Sequence, residues 1–280
     1  MTKCATNKIG SHTGMLTEYF TRLKKELVLR VIRNRDIIVR EEPFRHIVVD
    51  DFFEPAFYSY LCKAFQNRLD LGLSETPQRG RFARQPNSYD AYLWVPNPRS
   101  GFPLNFFYTA EWDELISGIF ALRSSKDTIL SFHHHRPNSK DGWIHSDFSL
   151  CSFVEDRLRN GINPWYHQCR YEDSTGDQQS GTFRRMRAVA LIFYLLNDPQ
   201  RQDGDGGETA LYPVKDAKSP ATVIAPRNNR LFAFEINPNS FHRFLSNRNY
   251  QRNTIIQWLH QEPEVARERY PDALPVYWRQ

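Results

Sequence analysis

The sequence has 280 residues, a formal net charge of +5, and 20 phenylalanines, 13 tyrosines and 6 tryptophans. So many aromatic side chains indicate an ordered globular protein, because disordered chains contain few of them. The length suits one domain, or two at most. The charge is too small to indicate nucleic-acid binding without a motif, and the sequence shows none. The four cysteines lack the C-x-x-C spacing of zinc knuckles and redox pairs, and we interpret them as reduced thiols.

Residues 1–14 are polar, lack the apolar run of a signal peptide, and are predicted to be flexible. Residues 15–129 are predicted to form helices and strands that support a later core. From Leu16 to Leu27 apolar side chains recur at three- and four-residue steps, which predicts a helix. Basic residues lie mostly off this stripe, so two interpretations stay open. The helix either covers the core, or residues 16–35 make a peripheral contact with an anionic membrane surface.

Three more elements are predicted in this support region. The β-branched run within Arg45 to Phe53 predicts a strand, Pro55 marks the start of a helix, and Ala110 to Leu122 predicts another helix. No stretch of the sequence is long and apolar enough to span a membrane. We therefore predict a cytoplasmic protein, peripheral at the cytoplasmic face of a membrane if the first helix binds lipid.

Two short segments, far apart in the chain, contain the residue types of a metal site. In an extended segment alternate side chains share a face, so His145 and Asp147 can point at one ion. Alone this H-x-D pattern is weak in a chain with nine histidines, but His242 offers a third ligand. Three ligands leave the shell partly open, as non-haem Fe(II) oxygenases require, whereas structural zinc needs a closed shell.

An arginine lies ten positions after His242, at the head of an apolar, strand-like run. Arg252 and Thr254 share a face by strand alternation, and a guanidinium with a hydroxyl is well matched to one carboxylate. Two other classes stay open. A zinc hydrolase would need a general base and has no use for this arginine, and a non-catalytic cupin-like binding module would not need the pair.

Five segments between residues 130 and 260 contain recognisable motifs: His145-Ser146-Asp147, the strand-like run Ala190 to Asn197, the Gly-Gly turn within Asp205 to Pro213, the run Pro226 to Phe234 that leads into Ser240-Phe241-His242, and Arg252 with Thr254. In type and order these segments resemble the iron(II)/2-oxoglutarate-dependent oxygenase superfamily, and within it the prolyl-4-hydroxylase-like branch.

The resemblance implies Fe(II) as the metal, with 2-oxoglutarate and O₂ as cosubstrates. The residues that it assigns to iron are His145, Asp147 and His242, and it implies no catalytic residue beyond them. Arg252 and Thr254 would hold the distal carboxylate of 2-oxoglutarate, and Tyr194 would add a second hydrogen bond. The chain departs from the family by one extra residue after Tyr194, where relatives have Y-L-N.

The many short strands with Gly and Pro turns after residue 130 predict a mainly β protein with flanking α-helices. The fold we expect is a double-stranded β-helix, the jelly roll of cupins, with N-terminal helices. We predict a single domain over 1–280, with the core at 130–260 and a tail at 261–280 that packs on it. The run His133 to His135 cannot bind one ion as a whole, because consecutive strand residues face opposite ways, although one of them can line the pocket.

About forty residues separate Asp147 from the next core strand, more than in many relatives. This insertion, 151–187, must leave and re-enter at the mouth of the site. It is either a loop that contributes to specificity or a solvated excursion. The residues that we predict to bind substrate there are Arg184, Arg185, Arg187 and Trp165.

The predicted function is that of an Fe(II)- and 2-oxoglutarate-dependent dioxygenase that hydroxylates a C–H bond. Three substrate classes stay open. Clusters of basic residues favour an anionic sugar of a membrane glycolipid such as lipopolysaccharide, and the resemblance favours a prolyl or other side chain of a peptide or protein. A soluble metabolite is the third class.

Overall fold

The computed structural model describes residues 27–85, 90–165 and 180–276. Within these ranges the chain forms an eleven-stranded sheet and a three-stranded sheet. This is the mainly β, jelly-roll architecture that the sequence predicts, and the predicted fold class is confirmed. The strands, in chain order, are β1 (Val39–Arg40), β2 (His46–Val49), β3 (Leu73–Ser74), β4 (Phe82–Arg84), β5 (Tyr92–Trp94), β6 (Asp127–His135), β7 (Leu150–Phe153), β8 (Asn163–Pro164), β9 (Phe183–Tyr194), β10 (Thr209–Tyr212), β11 (Thr222–Ile224), β12 (Arg230–Glu235), β13 (Phe241–Phe244) and β14 (Arg252–Gln261).

The larger sheet has the order β1-β2-β12-β9-β14-β6-β5-β4-β3, with β7 also paired to β9 and β8 to β6. The smaller sheet has the order β11-β10-β13. Its central strand and β13 are antiparallel, with Leu211 opposite His242. The two sheets together enclose the interior in which the predicted site residues lie.

From Ala188 to Tyr194 strand β9 is buried on both faces, which explains the continuous apolar sequence of that part. On one face, Leu191 and Phe193 pack in a cluster that includes the aromatic rings of Phe52 and Trp112. On the other face, Ile192 packs in a second cluster inside the jelly roll. The first cluster attaches the helices to the sheet, and the second surrounds the candidate site.

The helices before β6 cover the outer face of the large sheet, and the helix after the last strand packs in the second cluster through Ala266. They are α1 (Leu27–Val31), α2 (Pro55–Leu69), a 3-10 helix (Leu104–Tyr108), α3 (Ala110–Phe120) and, after the last strand, α4 (Pro263–Arg269). Helix α2 begins at Pro55, as predicted. Helix α3 begins at the predicted residue because the hydroxyl of Thr109 accepts a hydrogen bond from the Trp112 amide at 3.3 Å. It ends at Phe120, two residues before Leu122, because the next residue, Ala121, has a left-handed backbone.

The helix predicted from Leu16 to Leu27 lies outside the described residues except for its last position. The membrane contact predicted for residues 16–35 therefore stays a prediction. Among the helices that the structure describes, none combines the length and the apolar character needed to cross a membrane.

The described part of the C-terminal tail contacts the jelly roll. The Tyr270 hydroxyl donates to Glu235 at 2.9 Å, its ring packs edge-on against Phe148, and the Val276 amide donates to the Phe148 carbonyl at 2.7 Å. Leu274 is 85% exposed. These contacts place the segment around Tyr270 and Val276 against the barrel, next to the strand that follows Asp147.

One buried carboxyl on α3 leads to a prediction about pH and stability. Burial raises the pKa of Asp113 from its ordinary 3.8 to about 6, despite a hydrogen bond from Ser124. The folded state thus binds the proton more tightly than the unfolded state, so stability falls as pH rises through this interval. Over the whole pH interval the free energy of unfolding falls by ~3 kcal/mol.

Asp113→Asn is expected to remove this loss, and so to raise the free energy of unfolding at pH 7 relative to the original protein. Urea unfolding at several pH values between about 4 and 8 would measure it. Parallel pH profiles for the two proteins would contradict the prediction.

Candidate metal centre

The two predicted histidine ligands lie side by side because their backbones pair. His145 and His242 form an isolated antiparallel bridge, with amide-to-carbonyl hydrogen bonds of 3.1 and 2.9 Å. Their rings lie 4.4 Å apart between centroids. The sequence predicted an extended segment at His145, and the structure shows that extension only at this bridge. The bridge to β13, and not a regular strand, holds the H-x-D motif in place.

The three predicted ligands converge on one point. One ligand atom from each of His145, Asp147 and His242 lies within 4.8 Å of the others. The Nε2 atom of His145 is 3.9 Å from Asp147 Oδ1, and the Nε2 atom of His242 is 4.0 Å from Asp147 Oδ2. Two imidazoles and a carboxylate at this spacing can contact a single divalent ion and leave other coordination positions open.

Hydrogen bonds select the ring nitrogen that each histidine offers. The Nδ1 atom of His145 donates to the Trp143 carbonyl at 2.8 Å, and the Nδ1 atom of His242 donates to the Ser240 carbonyl at 3.1 Å. A carbonyl can only accept, so both Nδ1 atoms carry the proton. The Nε2 lone pairs therefore face the carboxylate, in the arrangement that metal-binding histidines use.

The protonation states also suit a metal. Burial lowers the pKa of His145 to about 4 and lowers the pKa of His242. Burial alone would raise the pKa of Asp147, but the Arg187 guanidinium, with help from the neighbouring groups, lowers it to about 2. At neutral pH both imidazoles are thus neutral, with a free Nε2 lone pair, and the carboxylate is ionised, as metal ligands must be.

A second polar group lies in the same interior, on β14. Thr254 is in register with Tyr194 of β9, and the Arg252 Nη2 atom donates to Thr209 at 3.1 Å. The Tyr194 hydroxyl lies 2.8 Å from the same Thr209 oxygen. The structure therefore brings together the three residues predicted to bind 2-oxoglutarate, with Thr209 as the hydroxyl that links two of them.

Part of this group is buried without a hydrogen-bond partner. The Nε and Nη1 atoms of Arg252 and the hydroxyl of Thr254 have none, and the two residues are 2% and 0% exposed. A buried guanidinium without a counter-ion is costly. A carboxylate that enters this space would satisfy these donors, so the residues fit the distal end of 2-oxoglutarate.

Two of the three consecutive histidines face the same space. His135 is in register with Arg252, and His133 with Thr254. His135 stacks on Phe244 at 4.1 Å, and the Arg252 guanidinium lies 5.1 Å from the same Phe244 ring. Burial lowers the pKa of His133 to about 3, so its ring is neutral. We expected one histidine of the run His133 to His135 to line the pocket, and the structure places two of them beside it.

The Gly-Gly turn connects the pocket to the strand of His242. Gly206 has a φ of +90°, and a Cβ added there would lie 2.0 Å from the Ser246 carbonyl oxygen. The Gly207 amide donates to the Leu245 carbonyl at 2.9 Å. The turn places Thr209 at the start of β10, next to Arg252. Only glycine allows so close an approach of the two backbones.

Gly206→Ala is expected to lower the free energy of unfolding by more than about 1 kcal/mol, because it combines a left-handed backbone with a clash against backbone. Gly204→Ala is the matched control, since Gly204 has a φ of +96° but open space around the added Cβ. Urea unfolding of both variants measures their losses in free energy of unfolding, and the difference between the two losses is the cost of the clash. Equal losses would contradict the prediction.

The predicted substrate residues do not form one surface. Arg187 is 3% exposed and donates to Asp147 Oδ1 at 2.7 Å. Arg185 instead contacts the carboxylates of Asp127 at 2.6 Å and Glu262 at 2.7 Å. Arg184 and Trp165 are half-buried, Arg184 opposite Ser152 on β7 and Trp165 against the interior cluster.

The base of the insertion is joined to β6 by the same buried carboxylate. Asp127 accepts from Asn163 at 2.8 Å and from Arg185 at 2.6 Å, and Arg157 lies 3.8 Å away. Asn163 and Arg185 lie on either side of the residues that the structure does not describe. The chain on both sides of residues 166–179 therefore contacts the first residue of β6.

Sequence reasoning missed the indole that contacts Asp147. The Nε1 atom of Trp258 donates to Asp147 Oδ2 at 2.8 Å. Strand alternation from Arg252 and Thr254 places Trp258 on the same face, so the signal was present in the sequence. Thr209 was also missed, because nothing local distinguishes it from other strand threonines.

A sequence match agrees with this chemistry. Residues 154–260 match the family model described as the 2OG-Fe(II) oxygenase superfamily. The match confirms the predicted resemblance to this superfamily over that segment and supports a dioxygenase that uses Fe(II), 2-oxoglutarate and O₂. The matched segment contains His242, Arg252 and Thr254 but begins after Asp147. The assignment of His145 and Asp147 as ligands thus depends on their geometry.

Solved structures of low sequence identity are similar to the chain. One is a prolyl-4-hydroxylase from Pseudomonas putida, with 17% identity, 78% of this chain and 92% of that chain covered, and a TM-score of 0.49. Another is a viral collagen prolyl hydroxylase from Paramecium Bursaria Chlorella virus-1 in complex with 2OG, with 15% identity, coverages of 77% and 95%, and a TM-score of 0.47. A third is a prolyl hydroxylase from Trichoplax adhaerens in complex with a peptide fragment of hypoxia inducible factor, with 15% identity, coverages of 82% and 87%, and a TM-score of 0.49. No curated protein matches the chain in sequence.

Proposed function

We propose that this dioxygenase binds Fe(II) through His145, Asp147 and His242 and binds 2-oxoglutarate through Arg252, Thr254 and Tyr194. The observation that supports it most is the three buried donors on Arg252 and Thr254 that have no hydrogen-bond partner, in the same interior as the three-ligand group. A structural zinc site would not explain these donors, and neither would a binding module without a cosubstrate.

Fe(II) with 2-oxoglutarate supplies the oxidising power to insert one oxygen atom of O₂ into a C–H bond, as 2-oxoglutarate becomes succinate and CO₂. The chain's own residues position the reactants. The Arg252 fork and the Thr254 hydroxyl bind the distal carboxylate, and Thr209 orients Tyr194 and Arg252 from the neighbouring strand. The burial of these groups excludes water from the charge contact and strengthens it.

Anaerobic titration tests this proposal. Fe(II) and 2-oxoglutarate together should produce the weak visible charge-transfer absorption of a chelated 2-oxo acid, and glutarate, which lacks the oxo group, should not. His145→Ala should remove the absorption. If 2-oxoglutarate produces no band with the unaltered protein, the proposed cosubstrate site is wrong.

For the substrate, we propose a prolyl or other apolar side chain of a peptide or protein. Trp143 is 40% exposed, and its ring lies 5.8 Å from that of His145, so it offers a flat apolar surface at the rim of the site. The acidic glycolipid has less support, because Arg185 and Arg187 already contact carboxylates. Those two arginines do not offer unbalanced positive charge to an acidic sugar.

Parallel incubations with proline-containing peptides and with lipopolysaccharide would separate the two substrate classes. We expect a gain of one oxygen atom in the peptides that requires His145 and weakens in Trp143→Ala. Oxidation of the glycolipid alone would replace the peptide proposal. Co-sedimentation with anionic liposomes, with charge reversal at Lys24 and Lys25, would test the membrane contact of residues 16–35.

A further inference from the structure

An irregularity in the pairing of β9 with β14 lies close to the metal centre. Leu259 pairs with Val189, whereas the next residue, His260, pairs with Arg187. Ala188 is therefore an extra residue on β9, a β-bulge. Its carbonyl accepts a hydrogen bond from the Ile236 amide at 2.8 Å, so the bulge is held from the neighbouring segment as well.

The bulge changes the face on which Arg187 lies. Regular alternation would place Arg187 with Val189 and Leu191, whose side chains pack in the outer cluster beneath the helices. One extra residue reverses the alternation, so Arg187 shares the inner face with Trp258. A guanidinium that would have been buried among apolar side chains thus reaches the metal centre.

Three side chains then form a closed set of contacts. Arg187 Nη1 donates to Asp147 Oδ1 at 2.7 Å, and Trp258 Nε1 donates to Asp147 Oδ2 at 2.8 Å. The Arg187 guanidinium also lies over the Trp258 ring, 4.5 Å from its centroid. Each carboxylate oxygen has one donor and keeps a lone pair for an ion.

We propose that Arg187 is a positioning residue for Asp147, brought to it by the bulge at Ala188. With Trp258, it fixes the carboxylate plane in the orientation that metal binding needs. The inference rests on the proposed metal centre. Outer contacts of this kind usually change metal affinity by about 10- to 100-fold when they are removed.

Two effects of the guanidinium on a metal oppose each other. Its positive charge repels a divalent ion, whereas its hydrogen bond and its stacking on Trp258 prevent the carboxylate from rotating. We expect orientation to dominate, because Asp147 is the only carboxylate of the three-ligand group and is only 4% exposed, so solvent has little access to replace the lost hydrogen bond. Loss of Arg187 should therefore weaken metal binding.

Titration of the metal-free protein with Co(II), without 2-oxoglutarate, tests this. Arg187→Met should bind Co(II) at least about tenfold more weakly, with altered d–d absorption, and Arg187→Lys should recover part of the affinity. Arg230→Met is the matched control. It removes the ion pair of the buried Arg230 with the half-exposed Asp50, neither of which contacts the three ligands, so it should lose stability but keep the Co(II) affinity and spectrum.

The outcomes separate the two proposals. If the unaltered protein does not bind Co(II), the metal centre itself is wrong. If it binds Co(II) and Arg187→Met binds equally well or more tightly with the same spectrum, only the positioning role is wrong. Should Arg187→Met not fold, Arg187→Gln keeps a polar group but is too short to contact Asp147, and the same criteria apply to it.

Discussion

Asp147→Ala is expected to abolish substrate-dependent succinate formation while the protein stays folded, and His145→Ala and His242→Ala should do the same. The three-ligand group contains one carboxylate, and each ligand is held by its own contacts. No described neighbour is placed to replace a missing ligand, so two remaining ligands cannot hold the ion in a competent geometry.

Succinate release with and without substrate would measure the effect, and circular dichroism would confirm the fold. Asp156→Ala is a suitable control, because Asp156 is an exposed carboxylate paired with Arg99 outside the site. Turnover near that of the unaltered protein in any one of the three ligand variants would show that the ligand set is wrong.

Arg252→Ala is expected to raise the KM for 2-oxoglutarate far more than it changes Fe(II) affinity. Truncation of one side of a buried, charge-assisted pair costs about 2 to 5 kcal/mol, which corresponds to about 30-fold or more in affinity. Arg252→Lys should recover only part of this loss, because a point charge cannot reproduce the two-pronged contact of a guanidinium.

The measurement is the 2-oxoglutarate dependence of succinate formation, with Fe(II) affinity determined separately. Arg243→Ala serves as the control, since Arg243 follows His242 but lies over the Tyr212 ring and near Asp141. An unchanged 2-oxoglutarate dependence in Arg252→Ala would remove its assigned role.

The parts of the site that could be predicted from sequence are those set by local spacing. His145 and Asp147 lie two residues apart, and Arg252 and Thr254 likewise, so strand alternation assigns each pair to one face. The order of the motifs along the chain added His242. The structure brings all of these residues into one interior.

The contacts that organise the ligands could not be predicted, because they depend on register between distant strands. Arg187 was predicted to bind substrate, and its contact with Asp147 follows from a single extra residue at Ala188. No sequence pattern marks that bulge. Arg185 was likewise predicted to bind substrate, but its partners Asp127 and Glu262 lie on other elements.

The anchoring of the insertion at Asp127 has a consequence for how this enzyme can evolve. Asn163 and Arg185 bind the same carboxylate, so the loop leaves and returns through one fixed point on β6. We therefore expect the strands around the metal centre to tolerate changes in length or sequence between these two positions. Exchange of that segment should then leave in place the residues proposed to bind Fe(II) and 2-oxoglutarate.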